Sequence, residues 1–483
     1  MTDQTSAPSS PAAPPAWSPP AVSGWRSWVL FLLVVVYTSN FIDRTIVNIV
    51  GQAIKTDLKL SDTQLGLLNG PAFAIFYAVV GVGFGLLSDR MRRSTVITIS
   101  LALWSAFTAA CGFAQNFGQL FLLRMGVGVG EAGCSPAAQS LISDYYSPKS
   151  RSIALAVYSL GIPFGTLFGA LAGGLIAQQF GWRQAFMVIG VPGLVLALVC
   201  QFLLKEPKRG AQDPSFDASA KPPSPGAVFK RLFGNRSFPH LAFGAALGSM
   251  ASYGIGGFIL PFLLRGPFGL DLPHAAFDYG IFFGLAMAVG VFLGGVTTDT
   301  VGRLSKRAYA LFPGVGFLIA APLYVWAFQQ SDLMKLATLV IAPLILQYLY
   351  LGPTFAVSHN LVSPRERATA TALLFLPINL IGYGIGPALV GLLSDKIGAH
   401  FFEGRMHDAR FGLLCPGGKA STHLPADFHG AAADLAGACH AASFDGVKWA
   451  IILTAGVVYA WAGLHYLLGA RTLKQDLEKA QAA

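Results

Sequence analysis

Residues 161–181, GIPFGTLFGALAGGLIAQQFG, form an apolar stretch with four spaced glycines, Gly165, Gly169, Gly174 and Gly181. Residues 378–398, INLIGYGIGPALVGLLSDKIG, repeat those glycines at a constant offset of 217, as Gly382, Gly386, Gly391 and Gly398. Glycine is common in membrane helices, so one match means little, but four in register indicate a duplicated chain. A second pair of segments agrees, because GLLSD at 85–89 matches GVTTD at 295–299 with an offset of 210.

The chain has 483 residues and is 54% hydrophobic but only 12% charged, well below the charge of an ordinary soluble domain. Its apolar runs are long enough to cross a hydrocarbon core of about 30 Å. They predict helices near residues 26–49, 64–88, 95–114, 118–143, 151–179 and 182–204, and then near 238–264, 276–298, 307–328, 335–360, 366–397 and 446–470. We therefore predict an all-α polytopic membrane protein with twelve transmembrane helices in two pseudo-symmetric six-helix halves.

Composition also predicts how the chain is divided. The first residues are rich in Pro, Ala and Ser, can bury nothing and are expected to be disordered. The segment between the two groups of helices carries seven Lys and Arg and several prolines, as a cytoplasmic linker would. The predicted parts are a tail at 1–24, a half at 25–204, a linker at 205–237, a half at 238–471 that includes a long loop at 399–445, and a tail at 472–483.

The formal net charge of +10 is explained by membrane topology rather than by a nucleic-acid partner. With these helices, 21 of the 33 Lys and Arg lie on the side of the amino terminus, 10 on the other side and 2 within the membrane. By the positive-inside rule both termini are cytoplasmic and the loop at 399–445 is not. We expect a multi-pass protein of the cell membrane, in a bacterium the inner membrane.

The five cysteines fall into two groups. Cys111, Cys134 and Cys200 lie in apolar helices, where a small buried thiol is expected. Cys415 and Cys439 share the long loop on the non-cytoplasmic side, where an oxidising compartment allows a disulfide. We predict that these two are paired.

Charged residues within the membrane are few, and each is a functional hypothesis because burying it in lipid costs at least about 2.5 kcal/mol. The first helix carries Asp43 and Arg44, which point about 100° apart, and the fourth carries Arg124 and Glu131 on one face. Depth in the membrane predicts that Asp43 pairs with Arg124. Glu131 is then less neutralised, and a low dielectric favours its protonated form, so it could bind and release a proton. The alternative is a fixed salt-bridge network that only holds helices together.

The second half has deep polar residues without charge, so coupling is predicted to concentrate in the first half. Together with Ser135 of the fourth helix, these residues give a predicted substrate cavity lined by Ser135, Tyr348, Asn379 and Tyr383. Pro163, Pro377 and Pro387 interrupt the glycine-rich helices and offer bending points. Such helices pack tightly yet can bend, as two rocking halves require.

The loop GLLSDRMRR at 85–93 resembles the signature loop of the major facilitator superfamily, although the usual glycine after Asp-Arg-x is missing. The resemblance implies a conformational switch formed by Gly85, Asp89, Arg90, Arg92, Arg93 and Asp144. We expect Asp89, a neighbouring arginine and Asp144 to form a cluster that touches the start of helix 11 and whose rupture favours the inward-open form. The alternative is that these charges determine topology only.

Two further segments, FIDRTIV at 41–47 and RMGVGVGEAGCSP at 124–136, resemble the spinster family of lipid and lysolipid transporters. That resemblance implies proton-linked movement of amphiphiles, with Asp43 and Glu131 as the membrane carboxylates and Arg124 as the helix-4 arginine. The loop at 399–445 is not a feature of the animal members, so a bacterial homologue with its own substrate is expected.

The predicted function is proton-coupled secondary active transport of an amphiphilic lipid or lysolipid by alternating access. An antiporter for drugs or organic anions is the main alternative, and a non-transporting membrane receptor is a remote one. No nucleotide-binding loop, metal-ligand spacing or nucleophile motif is visible, so neither an enzyme nor a cofactor is expected. We expect a monomer whose partners are protons, the substrate and membrane lipid.

Overall fold

The computed structural model describes residues 23–208, 212, 224–363, 366–425, 428 and 431–482. Throughout those ranges the regular elements are helices, which confirms the all-α prediction. The side chains of residues 82–90 and 297–299 are outside the description, although their backbone is helical. Residues 1–22 of the predicted tail and much of the predicted linker also lie outside the described residues, whereas α1 already begins at Ser23.

The first half is built from nine helices, and a tenth helix lies in the linker region. Their bounds are α1 Ser23–Asp57, α2 Asp62–Asn69, α3 Pro71–Arg90, α4 Arg93–Cys111, α5 Phe117–Glu131, α6 Cys134–Tyr145, α7 Pro148–Ser159, α8 Gly161–Phe180, α9 Trp182–Leu203 and α10 Pro225–Phe233. Local sequence explains where several begin. Ser61 and Gln64 form a capping box at the start of α2, and Asn116 caps α5.

The second half follows the same pattern with longer continuous elements. Its bounds are α11 Ser237–Arg265, α12 Leu272–Leu304, α13 Ala308–Ala327, α14 Leu333–Leu346, α15 Leu351–Asn360, α16 Arg367–Pro377, a π-turn Ile378–Tyr383, α17 Gly384–Met406, α18 Phe411–Leu414, a 3₁₀ turn Pro416–Gly418, α19 Ala432–Leu453, a π-turn Thr454–Val458 and α20 Tyr459–Ala482.

Eleven of the described helical segments are long and apolar enough to cross a membrane. The predicted fourth helix is not in that set, and it consists of α5 and α6, of 15 and 12 residues, separated at residues 132–133. With this interrupted helix the chain has the twelve predicted crossings. The interruption directly follows Glu131, so a charged residue lies at a break in the helix.

The repeated glycines allow the same helix contacts in both halves. A methyl group on Gly165 would lie 2.6 Å from the Thr38 carbonyl oxygen of α1, and one on Gly386 would lie 2.3 Å from the Met250 oxygen of α11. In the numbering of the twelve predicted helices, helix 5 (α8) therefore packs on helix 1 (α1), and helix 11 (α17) packs on helix 7 (α11). Both approaches are too close for any side chain, which explains the glycines.

The next pair of glycines faces the opposite half. Gly174 of α8 lies against Pro273 and Ala276 of α12, and Gly391 of α17 lies against Asp62 of α2. These two contacts join the halves. The fourth pair differs, because Gly181 ends its helix with φ 89° whereas α17 continues through Gly398 to Met406.

The predicted bending points lie at interruptions of two helices. Pro163 follows the junction between α7 and α8, and Pro377 ends α16 where the π-turn begins. Pro387 lies inside α17.

The region predicted as a loop at 399–445 is more ordered than expected. The end of α17, the short helix α18 and the first turns of α19 enclose a small core that includes Phe402, Leu414 and Leu435. Cys415 and Cys439 form a disulfide inside it, which confirms the predicted pair, and the other three cysteines are buried thiols.

The linker contains an amphipathic helix that the sequence did not predict. Val228 and Leu232 of α10 are buried, and Arg231 donates to the Glu366 carboxylate at 2.7 Å. Burial raises the pKa of Glu366, but bonds from the Ser363 amide and hydroxyl and the charge of Arg231 outweigh it and hold that pKa below its usual range. The linker is thereby fixed to the start of α16, the first part of predicted helix 11.

Candidate functional site

The intramembrane charges form a different pair from the predicted one. Arg44 Nε donates to Glu131 Oε2 at 2.6 Å, so the carboxylate expected to be less neutralised has a direct partner. The side chain of Glu131 is fully buried, whereas 18% of the Arg44 side chain is exposed. Depth along the helix axis does not decide this contact, because the direction in which the Arg44 side chain leaves α1 determines which carboxylate it reaches.

The predicted bond between Asp43 and Arg124 is not formed. Both side chains are buried, within electrostatic range of each other and of Glu131. Asp43 Oδ1 and all three side-chain nitrogens of Arg124 have no hydrogen-bond partner in the described part of the chain. The Arg124 guanidinium lies 5.6 Å from the centre of the Phe73 ring. A buried guanidinium without hydrogen bonds is costly, and such groups concentrate at functional sites.

Aromatic rings surround Arg44. Its guanidinium carbon lies 5.1 Å from the Phe41 ring centre and 4.8 Å from those of Phe73 and Tyr77. Tyr383 of the second half packs edge-on against Phe73 at 5.3 Å. These rings were not predicted, although Phe41 is three residues before Arg44 and Phe73 is four before Tyr77, the spacings that place side chains on one helix face.

The structure brings only part of the predicted cavity lining to this site. Tyr383 is there, through Phe73. Ser135 lies near Tyr158. Tyr348 accepts a 3.3 Å bond from Ser252, and the Asn379 amide donates to the Phe375 carbonyl of its own helix at 3.0 Å. The Tyr383 ring lies 4.7 Å from that of Tyr253, which is also within electrostatic range of Tyr348, and a cavity lined by all four side chains stays a prediction.

Predicted helix 10 is interrupted between α14 and α15, and the buried polar residue at this interruption is uncharged. Gln347 follows α14 directly, is buried, and its amide oxygen accepts a bond from the Tyr459 hydroxyl beside the π-turn. Glu131 occupies the comparable position at the interruption of helix 4. The deep charges of the site thus come from the first half, as the sequence predicts.

The predicted switch loop is described in part. The side chains of Gly85, Asp89 and Arg90 are outside the described residues, and Arg92 is exposed ahead of α4. Arg93 is buried and bonds Asp144 and, at 2.7 Å, Glu206. Asp144 was predicted as a member, whereas Glu206 was missed because it lies in the polar stretch after α9.

The described partners of Arg93 belong to the first half or to the chain that directly follows α9. The Glu206 carboxylate also accepts a bond from the Ser94 amide at 2.9 Å. The cluster therefore fixes the start of α4 to the ends of α6 and α9. The predicted contact with helix 11 depended on Asp89 and stays a prediction.

Two six-helix halves that meet around buried charges and aromatic rings define a class, the polytopic secondary transporters that work by alternating access. The chain belongs to the Major Facilitator Superfamily, whose model matches residues 33–387. It is a transporter of the spinster type rather than an enzyme.

Relatives and solved structures agree with this assignment. An MFS-type efflux pump of Mycolicibacterium smegmatis is 33% identical over 77% of this chain and 85% of the pump. A sphingosine-1-phosphate transporter of Danio rerio is 27% identical over 74% of each chain. The crystal structure of a bacterial homologue of the human lysosomal transporter spinster, inward-facing and unoccupied, is similar with a TM-score of 0.85, 34% identity and coverage of 94% and 98%.

Proposed function

We propose that the protein is a monomeric, proton-coupled transporter of the cell membrane that moves an anionic amphiphile, a lipid or lysolipid, by alternating access. The observation that carries the proposal is the Arg44–Glu131 pair. A fully buried carboxylate bonds a guanidinium that is itself partly exposed among aromatic rings. One group is suited to hold a proton and the other to hold a substrate anion.

The pair links the two events through competition for Arg44. While Glu131 is ionised, it holds the guanidinium at 2.6 Å. Protonation removes the charge that attracts Arg44, which can then turn its donors to an anionic headgroup, and guanidinium binds phosphate or carboxylate with two parallel bonds. The rings of Phe41, Phe73 and Tyr77 offer apolar surface for the adjoining part of an amphiphile.

Asp43, with Arg124 beside it, supplies a second site at which a proton can be bound and released. Their polar atoms lie within electrostatic range without bonding each other, so small movements of α1 or α5 change how strongly Arg124 favours the ionised form of Asp43. The sphingosine-1-phosphate transporter among the relatives supports a lipid anion as substrate.

A drug or organic-anion antiporter is the second candidate, and the efflux pump of Mycolicibacterium smegmatis supports it. Binding of the purified protein to lysolipids with phosphate headgroups, to neutral monoacyl lipids and to cationic drugs separates the two. The lipid proposal expects the phosphate-bearing lysolipids to bind most tightly. Preference for cationic drugs would contradict it.

Proton coupling is tested by Glu131→Gln in reconstituted vesicles. Glutamine resembles the protonated carboxyl and cannot titrate, so a pH gradient should no longer drive uphill transport. Glu403→Gln is the matched control, since this carboxylate is exposed near the end of α17 whereas Glu131 is fully buried. Uphill transport by Glu131→Gln at the parental rate and with the parental pH dependence would show that Glu131 is only structural.

A further inference from the structure

A second group of buried charges lies at the ends of α1, α2 and α11 and against the middle of α17, away from the Arg44–Glu131 pair. We call the membrane face with the α1–α2 turn the outer face, after the predicted topology. At this face Asp62 is 2% exposed. Its carboxylate accepts bonds at 2.7 Å from Lys55 Nζ, from both terminal nitrogens of Arg265 and from Ser394 Oγ.

Asp395 of α17 binds the start of α2 from the opposite half. Its carboxylate accepts the Asp62 amide at 2.8 Å, and the amide and hydroxyl of Thr63 at 2.7 and 2.6 Å. The first amides of a helix have no partner within the helix and form its positive end, where a carboxylate is stabilising. A residue of the second half therefore caps a helix of the first.

Seven hydrogen bonds cross between the halves at this point, the seventh being Arg265 Nε to Gln52 Oε1 at 2.9 Å. We define the outer latch as Gln52, Lys55, Asp62 and Thr63 of the first half with Arg265, Ser394 and Asp395 of the second. The backbones are also in close contact, since a methyl group on Gly391 would lie 2.1 Å from the Asp62 carbonyl oxygen.

The duplicated chain provides an internal comparison. With the offset of 210, Lys55 corresponds to Arg265, and Asp62 corresponds to Leu272. The equivalent contact between the halves, where α8 meets α12, places Gly174 against Pro273 and Ala276 and is apolar. Both symmetry-related cations therefore converge on one carboxylate that only the first half possesses.

The difference between the charged latch and the apolar α8–α12 contact indicates that the latch does more than hold the two halves together. Buried ion pairs are weak evidence for stability, because apolar residues of similar volume often hold elements together as well. The α8–α12 contact shows that this fold holds its halves together with apolar residues elsewhere. Charges suit an interface that must separate, since on parting Lys55 can remain on Asp62 and Arg265 keeps its 3.3 Å bond to the Ser443 carbonyl.

We infer that the outer latch is the gate that closes the outer face, and that Asp62 is its central positioning residue. With the latch intact the site opens only to the opposite face. Separation of Asp62 from Arg265 and of Asp395 from α2 opens the outer face. The inference rests on the alternating-access part of the proposed function and needs neither protons nor a lipid substrate.

The test measures the separation of the halves at the outer face in the full-length protein. Nitroxide labels are placed at Gln115→Cys in the α4–α5 turn and at Ser331→Cys before α14, both exposed. Double electron–electron resonance then gives the distance distribution without substrate. Asp62→Asn places an amide against Arg265, and we expect the population of longer distances to rise about tenfold.

Asp57→Asn is the matched control, since this carboxylate at the end of α1 bonds Arg183 and Trp182 within its own half. Two further variants, which change side-chain size but not charge, test the gate if Asp62→Asn folds poorly. Gly391→Ala should open the outer face without a change in charge. Gly404→Ala on the same helix meets no atom within 4 Å and should not.

The inference is overturned if Asp62→Asn and Gly391→Ala both keep the parental distance distribution, or if the two controls shift it equally. Because no substrate is present, this failure is distinct from failure of lipid transport or proton coupling. A latch that opens in a protein unable to transport any lipid would leave the gate established and refute the proposed substrate.

Discussion

Arg44 is the residue whose chemistry is most specific at the site, because a planar guanidinium can bond Glu131 and face three rings at once. Lysine carries the same charge but has a single ammonium group and stacks less well on aromatic faces. The sequence identified the four charges of this site but paired them wrongly. Spacing along a helix gives depth, whereas a contact also needs the direction and reach of the side chain, which depend on packing between α1 and α5.

Arg44→Lys is expected to fold and to weaken binding of a phosphate-bearing lysolipid about tenfold, because two parallel bonds become one. Binding of a neutral monoacyl lipid should change little. Both affinities can be measured by tryptophan fluorescence or calorimetry on the purified protein. An equal loss for both lipids would mean that Arg44 shapes the cavity rather than recognises the headgroup.

Arg124→Ala should favour the protonated form of Asp43, because it removes a nearby positive charge from a buried carboxylate. Transport driven by a pH gradient should then require a more alkaline compartment for proton release. Asp43→Asn should abolish that shift when combined with Arg124→Ala. A pH profile of transport identical to that of the parent in Arg124→Ala would contradict the proposed coupling.

At the level of elements, the glycine register correctly predicted close packing of the glycine-rich helices, because glycine at fixed spacing lets two backbones approach each other. Gly386→Ala should lower the free energy of unfolding by about 1–3 kcal/mol, since the new methyl group would meet the Met250 carbonyl. Gly437→Ala in α19, which meets no atom within 4 Å, should be neutral or stabilising. Thermal unfolding in detergent compares the two, and equal midpoints would contradict the packing argument.

Other features of the elements were not predictable from hydropathy. The interruption at residues 132–133 lies four residues before Pro136, which cannot donate a helical bond to the carbonyl of Ala132, whereas the π-turn at Thr454–Val458 follows no proline. Helix α10 was missed because a nine-residue amphipathic helix resembles linker sequence unless the groove that receives Val228 and Leu232 is known.

The disulfide braces the folded region beyond α17. Protein alkylated in native membranes without reduction should show Cys415 and Cys439 unmodified by mass spectrometry, and both modified after reduction under denaturing conditions. Alkylation of both in the unreduced sample would rule out the disulfide in the cell. The three buried thiols should react only after denaturation.

For the whole molecule, composition, charge asymmetry and internal repetition were enough to predict the fold, because lipid allows few architectures. Orientation remains a prediction. An impermeant maleimide applied to intact cells should label Ser421→Cys but not Ser224→Cys. The reverse pattern would invert the topology and would place the outer latch on the cytoplasmic face.

The outer latch has an electrical consequence. When the halves part, the first carries Lys55 and Asp62 and the second carries Arg265 and Asp395, so each half retains one positive and one negative charge of the latch. Moving a net elementary charge through a membrane potential involves about 2.3 kcal/mol per 100 mV. A balanced pair moving together contributes almost nothing, so the resting potential of the cell neither pulls these residues apart nor holds them closed.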